Sequence, residues 1–251
     1  MKYAELNWPQ LRDVSRETVV MAPVASCEQH GPFLPFFTDT ILLEAVTTRA
    51  EARLGDEALL LPTQWLGASQ HHLPYGTITA DVNTHARLVL EICESVLRDG
   101  FRRVLVLNGH GGNANPVQMA LRQLDVRHPD AVLAGASYWE VAGAEIAAIL
   151  EGPRKTAGHA CEMETAMMLH LRPDLVCRER IADGERVPAP ALRGVSIARN
   201  AAEWGKDGVL GFPTHASAAK GERLMAAIVD RVVAVVRELR RTGPDGLRVG
   251  P

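Results

Sequence analysis

The chain has 251 residues, of which 47% are hydrophobic and 23% are charged, and these proportions exclude disordered, collagen-like and coiled-coil proteins. Thirty acidic against 27 basic residues give a net charge of -3, so the basic surplus of a nucleic-acid-binding protein is absent and no nucleic-acid partner is expected. A chain of this length buries a large core, and we expect one domain over residues 1–241 followed by a flexible tail, 242–251.

The cysteines and the apolar runs predict a soluble cytoplasmic protein. The four cysteines form no CxxC pair, which is typical of reduced thiols rather than of a disulfide framework. The N-terminus lacks the basic start and the apolar run of a secretory signal. No stretch approaches the roughly 18 apolar residues that a membrane helix requires, so no membrane partner is expected either.

Short apolar runs alternate along the chain with stretches that have helical periodicity. This alternation is typical of a three-layer α/β/α fold with a mainly parallel sheet. Residues 172–216 are rich in Gly, Pro and charge, and we predict a loop with short strands there. The predicted strands are 18–25, 58–61, 103–107 and 131–137, and the predicted helices are 39–53, 84–99, 116–124, 141–150, 162–171 and 218–241.

Histidine and carboxylate residues follow three of the predicted strands. Glu28 and His30 come after the first strand, His71 and His72 lie in the loop after the second, and His110 follows the apolar run RVLVL. Ligands of open α/β sheets bind beyond the carboxyl ends of the strands. We therefore expect these side chains to meet at one edge of the sheet.

The first cluster is SCEQHGPFLPFFTDT, which contains Glu28, His30 and Asp39. Two residues apart in an extended segment, Glu28 and His30 point to the same side and are able to ligate one ion or two neighbouring ions. Asp39 lies at a predicted helix start, where its carboxylate would bridge the ions. The alternative is that Asp39 caps the helix and that Glu28 and His30 are a solvated pair.

The second cluster, LNGHGGNANP, surrounds His110 with glycines, a setting that fits a ligand or an acid/base role better than a core position. The glycines and the helix that follows also fit a phosphate cradle, although neither the P-loop lysine pattern nor GxGxxG is present. This leaves open a second class of function, a non-catalytic, metal-independent module that binds a sugar or a nucleotide.

The third cluster is GHACEMETAMML. His159 precedes the predicted helix and is a candidate for proton transfer. Glu162 and Glu164 lie on different faces of that helix, and Glu164, which an apolar run follows, is expected to face inward. For Glu162 two interpretations remain, a functional carboxylate or a first-turn acid that complements the helix dipole.

The candidate ligands from the three clusters are Glu28, His30, Asp39, His110 and one further Glu, and none of them is a cysteine. Such ligands suit a pair of Zn²⁺, Mn²⁺ or Fe²⁺ ions bridged by a carboxylate. One ion would polarise a carbonyl while the pair lowers the pKa of a shared water, and this chemistry hydrolyses amides or esters.

The three clusters, in this order and spacing and with GASQHH and GTITAD between the first two, resemble the signatures of the creatininase family over roughly Val20 to Lys220. The resemblance implies a three-layer fold, a metal pair at the sheet edge and often a hexamer. It also implies hydrolysis of a C–N amide bond, in which a metal-bridged hydroxide attacks the carbonyl carbon of a small cyclic amide, a formamide or a short peptide. Relatives that share NGHGGN include a formamide deformylase and a peptidase that trims a precursor peptide.

The same resemblance assigns roles to individual residues. Members that act on creatinine carry a Tyr-Glu pair after the motif histidine, and that Glu binds metal, whereas this chain has Gly111 and Gly112 there. Either Glu164 or Glu162 would then supply the missing carboxylate; we assign Glu164 to the metal and Glu162 to catalysis. The remaining expected metal ligands are Glu28, His30, Asp39 as the bridge, and His110; His159 transfers a proton, and Ser69, His72, Gly111 and Gly112 bind substrate.

Overall fold

Four parallel strands form the centre of the computed structural model, which describes residues 1–184 and 198–242. Each strand ends within one residue of its predicted bounds, and the sheet order is β2-β1-β3-β4. The strands are β1 (Val19–Val24), β2 (Ala58–Leu60), β3 (Arg103–Asn108) and β4 (Val132–Ser137).

Helices cover both faces of this sheet, as the alternation of elements predicts. The side chains of β1 alternate between the two faces, so that Val19 and Met21 pack on one side while Val20 and Val24 pack on the other. The prediction of a three-layer fold is therefore confirmed. Within the described residues the α-helices are α1 (Trp8–Asp13), α2 (Thr38–Leu54), α3 (Val82–Arg98), α4 (Ala114–Arg127), α5 (Tyr138–Val141), α6 (Gly143–Ile149), α7 (Glu162–Leu171), α8 (Ala201–Trp204) and α9 (Ala218–Arg241).

Helices α2, α7 and α9 cover one face, and α3 and α4 cover the other. No helix in the described part of the chain combines the length and the apolarity needed to cross a membrane.

The structure differs from the predicted elements in three places. Helix α1 was not predicted, although Asn7 accepts a hydrogen bond from the Gln10 amide in a capping box that the sequence carries. The helix predicted over 141–150 is two short helices, α5 and α6. The described parts of 172–216 form short helices, helical turns and isolated bridge positions instead of strands, and Pro173 and Pro213 each start one of the turns. The predicted tail lies outside the described residues from 243 onward.

Helices α7 and α9 pack with their backbones unusually close. A Cβ atom added to Gly221 of α9 would lie 2.0 Å from the carbonyl oxygen of Ala166 in α7. Only glycine allows this approach, which fixes α7 and the clustered carboxylates at its start relative to the sheet.

We expect Gly221→Ala to destabilise the protein by about 1–3 kcal/mol, because the added methyl group meets a backbone atom that has no room to move. Gly143→Ala is the matched control, since a Cβ at Gly143 meets nothing within 4 Å, and it should be neutral or slightly stabilising. Urea unfolding of both variants measures the difference. Equal stabilities would contradict the packing described here.

Candidate active site

The polar clusters meet at one edge of the sheet because three strands end at the same level. Val24 lies opposite Asn108, and Asn108 lies opposite Ser137. The residues that follow β1, β3 and β4 therefore lie side by side at one edge of the sheet. Glu28 and His30 follow β1 on a loop, and His110 follows β3 two residues after its end. The structure thus brings together residues that are about 80 positions apart in the sequence.

Asp39 lies at the centre of the cluster. Its Oδ1 atom is 3.0 Å from His30 Nε2, and its Oδ2 atom is 3.3 Å from His110 Nδ1 and accepts a hydrogen bond from Ser26 Oγ at 2.8 Å. Burial raises the pKa of Asp39, but the charge of His30 opposes this and the net pKa is about 2. Helix α2 begins at Thr38 without a side-chain cap, so the alternative that Asp39 is a capping residue is wrong.

The hydrogen bonds behind His30 and His110 determine which ring nitrogen faces Asp39. His30 Nδ1 lies 3.2 Å from the carbonyl oxygen of Glu28. Because a carbonyl oxygen only accepts, Nδ1 carries a proton that it donates there, and Nε2 is the nitrogen that faces Asp39. His110 Nε2 lies 3.1 Å from Ser69 Oγ and 3.3 Å from the Ala68 oxygen, which leaves Nδ1 facing Asp39. Both rings are oriented as metal-ligating histidines are. Ser69 therefore lies behind His110 and is not among the residues that line the cavity over the cluster, which corrects its assignment to substrate binding.

The carboxylate of Glu28 is the most deeply buried acid of the cluster. Its side chain is 1% exposed, and neither carboxylate oxygen has a well-formed hydrogen bond within the described residues. Three histidine nitrogens approach its Oε1 atom, at 3.0 Å for His110, 3.3 Å for His72 and 3.6 Å for His159. Burial raises the pKa of Glu28, but the charge of His110 and its hydrogen bond hold that pKa well below its usual range. A buried carboxylate is stabilised by a neighbouring positive charge, which protonated His110 supplies in the metal-free chain and which a metal ion would supply in its place.

Three sets of three ligand atoms in the described residues lie close enough together to hold a cation, and two of them contain Asp39 or its neighbour His30. One atom from each of Glu28, Asp39 and His110 lies within 4.8 Å of the others, and the same holds for His30, His159 and Glu164. Asp39 faces both sets, because its two oxygens contact His110 and His30 respectively. The donors are nitrogen and oxygen atoms without sulfur, which suits Zn²⁺, Mn²⁺ or Fe²⁺.

The structure separates the two candidate acids of α7. Glu164 reaches the cluster, with Oε1 4.0 Å from His30 Nε2 and Oε2 accepting the Cys161 amide hydrogen at 3.2 Å. Burial raises the pKa of Glu164 to about 7, although the charge of His30 opposes the shift. As the inward-facing acid, Glu164 lies where the sequence expects it.

Glu162 lies elsewhere, which corrects its assignment to catalysis. Its carboxylate accepts the Gly152 amide at 2.8 Å and pairs with Lys220 Nζ at 2.6 Å, and it does not line the cavity at the cluster. Burial raises the pKa of Glu162, but the hydrogen bond and charge of Lys220, together with two backbone amide hydrogen bonds, lower it overall. Because α7 starts at Glu162, the first residue points back toward α9 while the third points to the sheet edge.

His159 is held rigidly next to the cluster. Its backbone exchanges two hydrogen bonds with Leu210, at 2.8 and 2.9 Å, and a Cβ at Gly158 would lie 2.0 Å from the Leu210 oxygen. Its Nε2 atom lies 2.7 Å from the Gln29 carbonyl oxygen and therefore carries a proton, which leaves Nδ1 on the side of Glu28. Burial, with the charge of His30, lowers the pKa of His159 to about 3, so the ring is neutral at pH 7.

A cavity of about 410 Å³ opens over these residues. His72, Gly111 and Gly112 line it, as expected of substrate-binding residues, and so does Trp139, which the sequence does not distinguish from a packing residue. A Cβ at Gly112 would lie 2.2 Å from the Ala68 oxygen, so no metal-binding Glu fits there in this conformation. The complete lining is Glu28, Asp39, His71, His72, Gly109, His110, Gly111, Gly112, Trp139, Ala157, Gly158, His159, Glu164 and Leu210.

The chain is similar to known proteins over most of its length. Residues 4–236 match the family model described as creatininase, creatinine amidohydrolase. The chain is 36% identical over 237 residues to a mycofactocin precursor peptide peptidase of Mycobacterium ulcerans, covering 91% of this chain and 88% of that protein. It is 30% identical over 252 residues to a creatinine amidohydrolase of Pseudomonas putida, covering 93% and 95%.

Solved structures of creatininases are also similar. A manganese creatininase has a TM-score of 0.79 and 29% identity, covering 94% of this chain and 97% of its own. A mutant creatininase of the Zn-Zn type has a TM-score of 0.78 and 28% identity, with the same coverage. The similarity therefore extends over nearly the whole chain, and the range matched by the family model contains all positions of the cluster.

We expect metal binding to the metal-free protein to release protons. The neighbouring carboxylates outweigh burial and raise the pKa of His30 to about 9 and that of His110 to about 10, so both rings are doubly protonated at pH 7. A metal ion must displace these protons, so affinity rises as the pH rises toward 9, and loading both positions at pH 7.5 releases about two protons per chain. Calorimetric Zn²⁺ titrations in buffers of different ionisation enthalpy count these protons. An affinity that does not change between pH 6 and 8.5 would contradict the prediction.

Proposed function

The chain belongs to the creatininase family and is an amidohydrolase acting on C–N bonds, and on this premise we propose that a pair of divalent metal ions serves its reaction. Zn²⁺ or Mn²⁺ are the first choices, with Fe²⁺ also compatible with the donors. Family membership favours this function over a metal-independent sugar- or nucleotide-binding module, which has no need of three buried carboxylates at one point.

One observation carries the metal proposal, the buried carboxylate of Glu28 without a well-formed hydrogen bond. We assign Glu28, Asp39 and His110 to one ion. For the other ion we take His30 and Glu164 from the second set, reserve His159 for proton transfer, and add Asp39, whose Oδ1 atom lies 3.0 Å from His30 Nε2, as the shared ligand. When bound, the ions would polarise the amide carbonyl and acidify a shared water molecule. The residues themselves hold the ligand atoms in place before binding, because each histidine is fixed by a hydrogen bond on its opposite side.

His159 moves the proton in the proposed reaction. Its Nδ1 atom faces the cavity side of Glu28, while its Nε2–H is held by the Gln29 carbonyl oxygen. Nδ1 accepts the proton that the attacking water loses and donates it to the leaving nitrogen as the C–N bond breaks. The carbonyl carbon gains the water oxygen, so the products are a carboxylic acid and an amine.

We propose a short peptide as the first substrate class to test, and a small cyclic amide or a formamide as the second. A cavity of about 410 Å³ lies in the range that holds ligands larger than a single small ring. The relative with 36% identity is named a peptide peptidase, whereas the creatinine amidohydrolase is 30% identical. Gly112 also differs from the Glu of creatinine-hydrolysing members, for which this backbone has no space.

Two predictions from the sequence stay predictions, a cytoplasmic location and a homo-oligomer, of which the hexamer is the family's common form. Exposed apolar side chains near the site fit an assembly of copies of this chain. Phe36, Phe37 and Trp65 are 47%, 38% and 41% exposed, and the rings of Phe37 and Trp65 lie 6.1 Å apart. Side chains of this size are normally covered, and a neighbouring subunit would cover them.

Asp39→Asn should lose most of its metal. The shared carboxylate contacts both histidine ligands, so its neutral amide weakens both positions, and elemental analysis should fall well below the about two ions per chain expected of wild type. Hydrolysis of a panel of short peptides, formamides and cyclic amides should fall with the metal. Asp125→Asn, at an exposed position of α4, is the matched control. Amidase activity that survives a chelator would contradict the proposal.

His159→Ala should keep its metal yet lose turnover. Loss of a positioned proton carrier typically lowers the rate by about 10²- to 10⁴-fold. His128→Ala is the control, because His128 pairs with Glu94 before β4 begins and lies at the opposite end of the sheet. If His159→Ala keeps wild-type kcat, the proton is carried by another group.

A further inference from the structure

Gln29 lies between two of the proposed metal ligands, yet the proposed reaction gives its side chain no task. The residue is 5% exposed, and its amide packs against the backbone so closely that a Cβ at Gly208 would lie 2.6 Å from its Nε2 atom. Within the described residues this amide contacts two histidines, His72 and His159, and two backbone groups. A buried amide with this many polar neighbours is fixed in one orientation.

The two backbone groups decide which end of the amide is which. The Gly31 N–H only donates, and it lies 2.8 Å from Oε1. The Gly208 carbonyl oxygen only accepts, and it lies 3.3 Å from Nε2. Rotating the amide by 180° would set donor against donor and acceptor against acceptor, so Nε2 is the end that faces His72.

This orientation fixes the proton on His72. Gln29 Nε2 lies 2.8 Å from His72 Nδ1, and because the amide nitrogen only donates, Nδ1 accepts and carries no proton. The proton of the neutral ring is therefore on Nε2, which lies 3.3 Å from Glu28 Oε1. His159 Nε2, 3.0 Å from the amide nitrogen, already donates to the Gln29 carbonyl oxygen, so the two amide hydrogens serve His72 and Gly208.

The consequence concerns a third set of possible metal ligands. One atom each of Glu28, His72 and His159 lies within 4.8 Å of the others, in a geometry that could hold an ion. A histidine binds metal through an unprotonated nitrogen. For His72 Nε2 to bind, the proton would have to move to Nδ1, where it would meet the Gln29 amide hydrogens.

We propose that Gln29 is a positioning residue that holds His72 with its proton on Nε2, which keeps His72 off the metal ions and presents its N–H to the substrate cavity. His72 lines that cavity, so a donor at this place is able to reach a substrate carbonyl oxygen. The role in the reaction rests on the proposed function, whereas the position of the proton does not.

Gln29→Glu tests the proposal directly. The new carboxylate only accepts, so it should draw the His72 proton to Nδ1 and leave Nε2 as a third ligand beside Glu28 and His159. Long-range ¹H–¹⁵N NMR spectra of the full chain labelled on histidine report which nitrogen is protonated, in metal-free and Zn²⁺-loaded protein. Wild type should show the Nε2–H form of His72 in both states, with its signals identified by their loss in His72→Asn.

Zn²⁺ content and kcat/KM are measured together with the spectra for three variants. Gln29→Glu should bind more Zn²⁺ per chain than wild type, and kcat/KM should fall by about 10- to 100-fold, as is common for groups that orient ligands. Gln29→Met should lose a similar factor without binding additional Zn²⁺, because it offers neither donor nor acceptor. Gln70→Glu, the same change at an exposed position two residues from His72, should leave proton position, Zn²⁺ content and rate unchanged.

A wild-type spectrum with His72 protonated on Nδ1 overturns the proposal, and this measurement needs no folded Gln29 variant. An unchanged His72 proton in folded Gln29→Glu overturns it equally. If the spectra are as expected but wild type hydrolyses no amide, the proposed function fails and the assignment of the proton stands.

Discussion

Three buried carboxylates at one sheet edge are the constraint on which this structure depends. Glu28, Asp39 and Glu164 are each at most 5% exposed, and burying an unpaired carboxylate costs several kcal/mol. Two protonated histidines supply the positive charge in the metal-free chain, which is why the pKa values of His30 and His110 rise while that of Asp39 falls. Protons and the proposed metal ions would thus compete for the same positions.

Hydrogen bonds outside the cluster divide its four histidines into two classes. His30 and His110 each place one N–H on a backbone or hydroxyl oxygen behind the ring and turn the other ring nitrogen to Asp39. His159 does the same through the Gln29 carbonyl oxygen, which leaves Nδ1 for proton transfer, whereas the Gln29 side chain turns the N–H of His72 inward. Identical side chains at similar distances from Glu28 therefore acquire different chemistry from their outer neighbours.

The sequence contains the elements and the meeting place of the clusters, because apolar runs specify the strands and parallel strands end at one edge. It favours Glu164 as the inward-facing acid, because an apolar run follows that residue, but it does not decide which of Glu162 and Glu164 is the fifth ligand. That choice depends on the rotation of α7, which the close approach of Gly221 to Ala166 and the pairing of Lys220 with Glu162 determine. Ser69 and Trp139 illustrate the same limit, since one lies behind His110 and the other lines the cavity through loop paths that no local pattern encodes.

Close backbone approach also explains why, in the proposed metal site, the acid beside His30 comes from a helix rather than from the loop after β3. At Gly112 the loop passes so near the Ala68 oxygen that any side chain would collide, whereas Gly111 meets nothing within 4 Å. With no carboxylate at 112, the charge near His30 must come from another element, and Glu164 is the buried acid that reaches it. The loop after β3 then borders the cavity with the bare backbone of Gly111 and Gly112.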